Sequence, residues 1–167
     1  ITVTGDVDLI LADGCTLNAS QGIRVLYGNS LTIWAQSTGD NKGRIEAKSD
    51  SDSAAIGGDD GYSNCKITIN GGTITTESGI CAAGIGSGYC GDMNSDITIN
   101  GGAIIITKGN INAACIGSGR HGNLNSNITI TGGDITCVGN QDDYSAEPCI
   151  GTGYQGNINL ATIRISG

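Results

Sequence analysis

Short bursts of alternating apolar and polar residues recur along this chain, most plainly as Ile67-Thr68-Ile69, Ile97-Thr98-Ile99 and Ile128-Thr129-Ile130. In each burst the isoleucines point to one side and the threonine to the other. A period of two built from β-branched residues predicts strand rather than helix.

The bursts belong to a longer repeat. ITINGG begins at Ile67 and again at Ile97, and ITITGG begins at Ile128, so the start advances by nearly the same step each time. Weaker starts occur at Ile1-Thr2-Val3, Leu31-Thr32-Ile33 and Ile163-Arg164-Ile165, giving six starts that bound five units. A second landmark keeps step: Ala55-Ile56-Gly57-Gly58, Gly84-Ile85-Gly86-Ser87-Gly88, Cys115-Ile116-Gly117-Ser118-Gly119 and Cys149-Ile150-Gly151-Thr152-Gly153. Between them lies a third run, as in Thr73-Ile74-Thr75-Thr76, Ala103-Ile104-Ile105-Ile106 and Asp134-Ile135-Thr136-Cys137. The glycine pairs Gly71-Gly72, Gly101-Gly102 and Gly132-Gly133 mark sharp corners after the first strand.

One unit of three short strands cannot bury its apolar edge alone, whereas stacked units can. Stacking in register places Ile67, Ile97, Ile128 and Ile163 in one inward column about 4.8 Å apart. The expected fold is therefore all-β, a right-handed parallel β-helix of about five coils of 29–36 residues. It forms one domain over 1–167, with diverged coils in 1–66, regular coils in 67–161 and the start of a further coil in 162–167. A sandwich would need antiparallel hairpins, and these strands repeat as triplets.

Composition narrows the class. Glycine supplies 29 of 167 residues against one proline, there is no Phe, and 14% of residues are charged, which argues against both a disordered tail and a coiled coil. The net charge of −8 opposes binding to a phosphate backbone, so no nucleic-acid partner is expected. No apolar run approaches the roughly 20 residues that span a bilayer, and membrane insertion is not expected. The chain begins at Ile1 and shows no signal peptide, which suggests a mature or excised segment of a larger protein.

The pattern ITINGG…ITT…AAGIGSG…ITINGG, clear from Lys66 to Gly156 and looser before Cys65, resembles the glycine-rich β-helical repeat regions of Firmicutes cell-surface proteins. Some of these are described as carbohydrate-binding domains. The resemblance implies an extracellular or cell-surface location and a scaffold suited to carbohydrate binding or adhesion. A structural spacer or self-assembling filament module is the alternative that needs no ligand; strand-like ends without caps suit end-to-end self-association or neighbouring domains.

The residues four beyond each landmark isoleucine are Tyr27, Asp60, Tyr89, Arg120 and Tyr154, which a solenoid stacks along one edge. Asp59, Tyr62, Asp92 and His121 lie beside them. Tyrosine rings offer faces to sugar C–H groups while Asp, Arg and His hold hydroxyl or uronate oxygens, so this edge is the candidate glycan site. The bland reading is that the side chains only cover a corner.

The alternative of a polysaccharide-degrading enzyme, pectin hydrolase- or lyase-like, comes from β-helical pectin hydrolases, which the layout also resembles. Asp59-Asp60 and Arg120-His121-Gly122 correspond to parts of their site, but the Asn-Thr-Asp and Arg-Ile-Lys segments of that family are absent, and no catalytic residue is assigned. Turn carboxylates at Asp50, Asp52, Asp59, Asp60, Asp92, Asp142 and Asp143 make Ca2+ a candidate cofactor, without an EF-hand or a nonapeptide calcium repeat. The outward threonines Thr2, Thr32, Thr68, Thr98 and Thr129, with Asn70, Asn100 and Thr131 two residues on, resemble ice-binding arrays, but Arg164 interrupts the column and a stabilising ladder suffices.

Seven cysteines (Cys15, Cys65, Cys81, Cys90, Cys115, Cys137 and Cys149) form no C-x-x-C pair. Cys115 and Cys149 precede landmark isoleucines in adjacent coils and are a disulfide candidate. Cys137 shares the inward alternation of Ile135 and reads as a buried thiol.

Overall fold

A computed structural model describes residues 1–49, 52–61, 65–108, 112–138 and 148–167. Asp50, Tyr62, Asp142 and Asp143 lie outside the described residues. The chain winds through three strands per coil, with no helix among the described residues. The first coil holds β1 (Thr2–Val3), β2 (Asp6–Leu11) and β3 (Thr16–Ala19), and the second β4 (Ile23–Val25), β5 (Ser30–Ala35) and β6 (Arg44–Lys48). The third comprises β7 (Ile56–Gly57), β8 (Lys66–Ile69) and β9 (Thr73–Ser78), and the fourth β10 (Ile85–Gly86), β11 (Ile97–Ile99) and β12 (Ala103–Lys108). The fifth has β13 (Ile116–Gly117), β14 (Ile128–Ile130) and β15 (Asp134–Val138), and a sixth begins with β16 (Ile150–Gly151) and β17 (Ile163–Ile165).

Among the described residues each strand pairs in parallel with its counterpart one coil away, producing two six-stranded sheets and one five-stranded sheet. The register follows the repeat: Ile67 pairs with Ile97, Ile97 with Ile128 and Ile128 with Ile163. The landmark isoleucines Ile23, Ile56, Ile85, Ile116 and Ile150 form a second continuous column. The architecture is a parallel β-helix of five coils and part of a sixth, whose interior is a stack of isoleucines. Ile56, Ile85 and Ile116 are all at 0% exposure. Burial of each such side chain stabilises the fold by about 1.5–3 kcal/mol.

The amino terminus departs from expectation. Ile1-Thr2-Val3 does not head the Ile67 column; Thr2 and Val3 pair with Arg24 and Val25 in the short-strand sheet. The column starts instead with Val7-Asp8-Leu9, opposite Leu31-Thr32-Ile33. Asp8, not Thr2, is thus the outward neighbour of Thr32. The first turn is also shorter than the regular coils, since Asp6 already pairs with Ser30 whereas Ile67 must wait until Ile97 for its partner. Its connections lack the landmark loop, and only Thr4 and Gly5 separate β1 from β2.

Two devices hold successive coils at strand spacing. Gly86 adopts φ 140°, and a Cβ there would overlap the carbonyl of Gly117, so the landmark glycine permits a backbone approach that no other residue allows. The corners are laced by asparagine: Asn100 Nδ2 donates to Asn70 Oδ1 at 2.8 Å, Asn125 Nδ2 to Asn94 Oδ1 at 2.8 Å and Asn159 Nδ2 to Asn125 Oδ1 at 2.9 Å. Stacked identical amides satisfy one another along the axis because each has both a donor and an acceptor.

Candidate functional site

The short-strand sheet is only two residues wide in the third and later coils, so the segments on its two sides approach each other. The residue four before one landmark isoleucine meets the residue four after the next: Tyr89 N donates to Asp52 O at 2.7 Å, Arg120 N to Cys81 O at 2.8 Å and Tyr154 N to Asn112 O at 2.9 Å. The following residue turns sharply. Gly61, Cys90, His121 and Gln155 occupy equivalent positions with φ of 67°, 53°, 62° and 61°. Three non-glycine residues in the left-handed region at one corner store strain of the kind found at ligand sites. Bonds to the next coil, Cys90 N to Arg120 O and His121 N to Tyr154 O, both at 2.9 Å, keep them there.

This corner brings part of the predicted set together. The Tyr89 and His121 rings meet edge to face with centroids 5.6 Å apart. The Arg120 guanidinium lies 5.7 Å from the centroid of the Tyr154 ring, a cation–π separation. Arg120 Nη1 stands 4.0 Å from Cys81 Sγ, and among the described residues the side chain has no carboxylate partner. The Tyr89 phenol is held above its ordinary value of 10.0, first by its hydrogen bond to Cys90 and then by that thiol's charge, with Arg120 opposing. Tyr154 is exposed, and Tyr89, Arg120 and His121 are half-buried.

The remaining predicted residues take other roles. Asp59 is ion-paired with Arg24 at 3.0 Å and accepts hydrogen bonds from Ser53 Oγ and Asp60 N. Asp60 itself is exposed. Tyr27, also exposed, lines with Arg24 and Asp59 a shallow depression of about 370 Å³. Asp92 faces the corner ladder, where Oδ1 accepts from Asn123. With Asp59 and Asp92 so engaged, the one group of three or more metal-ligating side chains that converges among the described residues is made of thiols, not carboxylates.

Sequence reasoning missed Cys81 and Cys90 beside Arg120 and Tyr89. For Cys81 the signal was available as an offset of four residues before Ile85, the mirror of Tyr89 four residues after it; Cys90, five after, falls outside that offset. It also passed over Trp34, which is outward on β5, 45% exposed, and donates through Nε1 to Asp8 Oδ1 at 3.1 Å. Trp34 borders a second depression of about 420 Å³ at the Asn-Gly-Gly corner, together with Lys42, Asn70 and Asn100. Alternation from Leu31 and Ile33 marks Trp34 as outward-facing.

Cys115 and Cys149 do stand side by side on adjacent coils, as the register of Ile116 and Ile150 requires. Cys137, inward opposite Ile106, comes to the same place. Among the described residues no helix is long and apolar enough to cross a membrane. No protein-family model, curated protein or solved structure matches this chain.

Proposed function

We propose that this chain is a non-catalytic β-helix module of an extracellular or cell-surface protein, and that the edge carrying Tyr89, Arg120, His121 and Tyr154 binds a glycan bearing an isolated carboxylate, which Arg120 meets locally against the chain's overall charge of −8. The observation that supports it is the alternation of ring and cation along consecutive coils, with Arg120 lacking a carboxylate partner among the described residues. Ring faces take up sugar C–H surface, and the guanidinium supplies paired donors to a uronate. The spacing of coils, about 4.8 Å, is close to the length of one pyranose, so neighbouring coils can address neighbouring sugars.

The test is a glycan array with and without calcium, followed by variants. Tyr89→Ala and Tyr154→Ala should each weaken binding to the best acidic glycan by about 1–3 kcal/mol. Unchanged affinity in both, with loss on Trp34→Ala, would move the site to the Asn-Gly-Gly corner and overturn the proposed edge. Cleavage of the bound polysaccharide that disappears in Asp59→Ala and His121→Ala would replace binding by hydrolysis.

A second reading rests on the last coil, where Ile158, Leu160 and Ile165 are 56%, 106% and 64% exposed and β17 pairs on one side only. A following coil, from a second copy stacked end to end or from a further stretch of the same chain, would cover these residues and continue the isoleucine column. Where it is a second copy, Ile165→Lys should abolish concentration-dependent assembly in sedimentation; a wild-type chain that stays monomeric at high concentration rules that copy out.

A further inference from the structure

Three cysteines from separate stretches of the chain converge at the junction of the fifth and sixth coils. Cys115 immediately precedes β13, Cys149 immediately precedes β16, and Cys137 lies in β15. The pairing of Ile116 with Ile150 sets Cys115 and Cys149 side by side, and the inward alternation of β15 turns Cys137 towards them. Their Sγ atoms all lie within 4.8 Å of one another. Burial is graded across the group, with Cys115 buried, Cys137 half-buried and Cys149 exposed.

We propose that Cys115, Cys137 and Cys149 form a three-thiolate site for one soft divalent cation of the Zn2+ or Cd2+ class. Thiolate sulfur selects such ions over Ca2+ and Mg2+, which prefer oxygen. With Zn–S bonds of about 2.3 Å, three sulfurs on one ion stand roughly 3.8–4 Å apart, so the group needs a contraction of about 1 Å or less. Rotation about χ1 supplies that without moving the backbone ladder. Each thiol releases its proton to solvent as its bond to the ion forms, and no electron is transferred. Cys115 closes the floor of the site against the isoleucine core, and Cys149 gives the ion a route in. Three protein ligands leave one position for water or a further ligand, unlike the closed four-ligand arrangement of purely structural zinc.

A disulfide between Cys115 and Cys149 would use two of the sulfurs and leave the third beside them; the cation uses all three. Because Cys137 belongs to the fifth coil and Cys149 leads the sixth, the bound ion would also clip the last coil to the stack. This proposal stands apart from the glycan reading and shares none of its residues.

The experiment uses the full chain, reduced and desalted, titrated with Co2+ as a spectroscopic probe and then with Zn2+ as competitor. The expected result is a thiolate-to-cobalt charge-transfer band that saturates at one equivalent and is bleached by Zn2+. Cys137→Ser and Cys149→Ser should each lower affinity by about tenfold or more, with Cys15→Ser, on the exposed first coil, unchanged. Cys115→Ser belongs to the same set, but its buried site makes far-UV circular dichroism a necessary check of folding; the other two variants decide the matter alone. Absence of the band in the reduced wild type, or its survival in both Cys137→Ser and Cys149→Ser, would overturn the site. So would closure of a Cys115–Cys149 bridge in air in preference to the cation complex.

Discussion

Asp92 and Asn123 stand one coil apart, and a single carboxylate oxygen, Asp92 Oδ1, accepts both the backbone N–H of Asn123 at 2.8 Å and its side-chain Nδ2–H at 2.9 Å. Asn123 repeats the gesture towards Asn157, accepting at Oδ1 from its backbone N at 3.0 Å and its Nδ2 at 3.3 Å. The polar side chains of this corner thus transmit the register that the isoleucines set inside.

Asn123→Ala removes the donor to Asp92 and the acceptor for Asn157 together, and should lower stability in urea by about 1–2 kcal/mol. Asn123→Asp keeps the acceptor but sets two carboxylates one coil apart, so its cost should shrink as salt is added. Equal losses at low and high salt would deny the electrostatic part.

Thr76 should be better as valine. It occupies the inward column between Ala47 and Ile106, at 0% exposure, and its Oγ1 has no hydrogen-bond partner among the described residues. Thr76→Val removes a buried hydroxyl at nearly constant shape and should raise stability by about 1 kcal/mol, whereas Thr76→Ser should lower it. Thermal unfolding of the two variants checks the opposite signs.

At the left-handed corner, Gln155→Gly should stabilise the chain by about 0.5–1 kcal/mol, since glycine adopts φ near 61° without the Cβ penalty. His121→Gly should gain similarly in stability and, if the proposed edge binds glycan, lose affinity for it, because the edge-to-face contact with Tyr89 goes with the ring. Parallel denaturation and binding curves separate the two effects. A His121→Gly variant that is destabilised would show that the ring contact outweighs the backbone strain.

Cys65 gives the fold an alkaline limit. Burial pushes its thiol from an ordinary 9.0 up to about 11, so above pH 9 the unfolded chain loses this proton while the folded chain retains it. The folded state then binds more protons, and its stability falls as pH rises from 9 towards 11. The loss at this site is on the order of 2–3 kcal/mol over the window. Cys65→Ala should flatten that slope in denaturation measured across the same range, at the expense of a small cavity.

The regular coils were legible because one signal, Ile-x-Ile returning at a near-constant interval from Ile67 to Ile97 to Ile128, reports both strand and stacking. The first coil was not. It has neither the Asn-Gly-Gly corner nor the Ile-Gly landmark, so Ile1-Thr2-Val3 mimics a column that Val7-Asp8-Leu9 in fact begins. The candidate edge was legible in its positions, since counting from Ile85, Ile116 and Ile150 found Tyr89, Arg120 and Tyr154. Its company was not: Cys81, distant from Arg120 along the chain, reaches it because the narrow sheet lets the flanking segments close round it.

Repetition in the sequence determined that this chain would wind, which isoleucines would lie inside, and how far one coil would be offset from the next. Those properties are periodic, and parallel pairing of equivalent residues follows directly from the period. Convergence within the cross-section of a coil was decided only in three dimensions. Cys137 meets Cys115 and Cys149, and Asp59 turns to Arg24 rather than to His121, because the bend at each corner sets which faces meet, and no spacing along the chain encodes that angle.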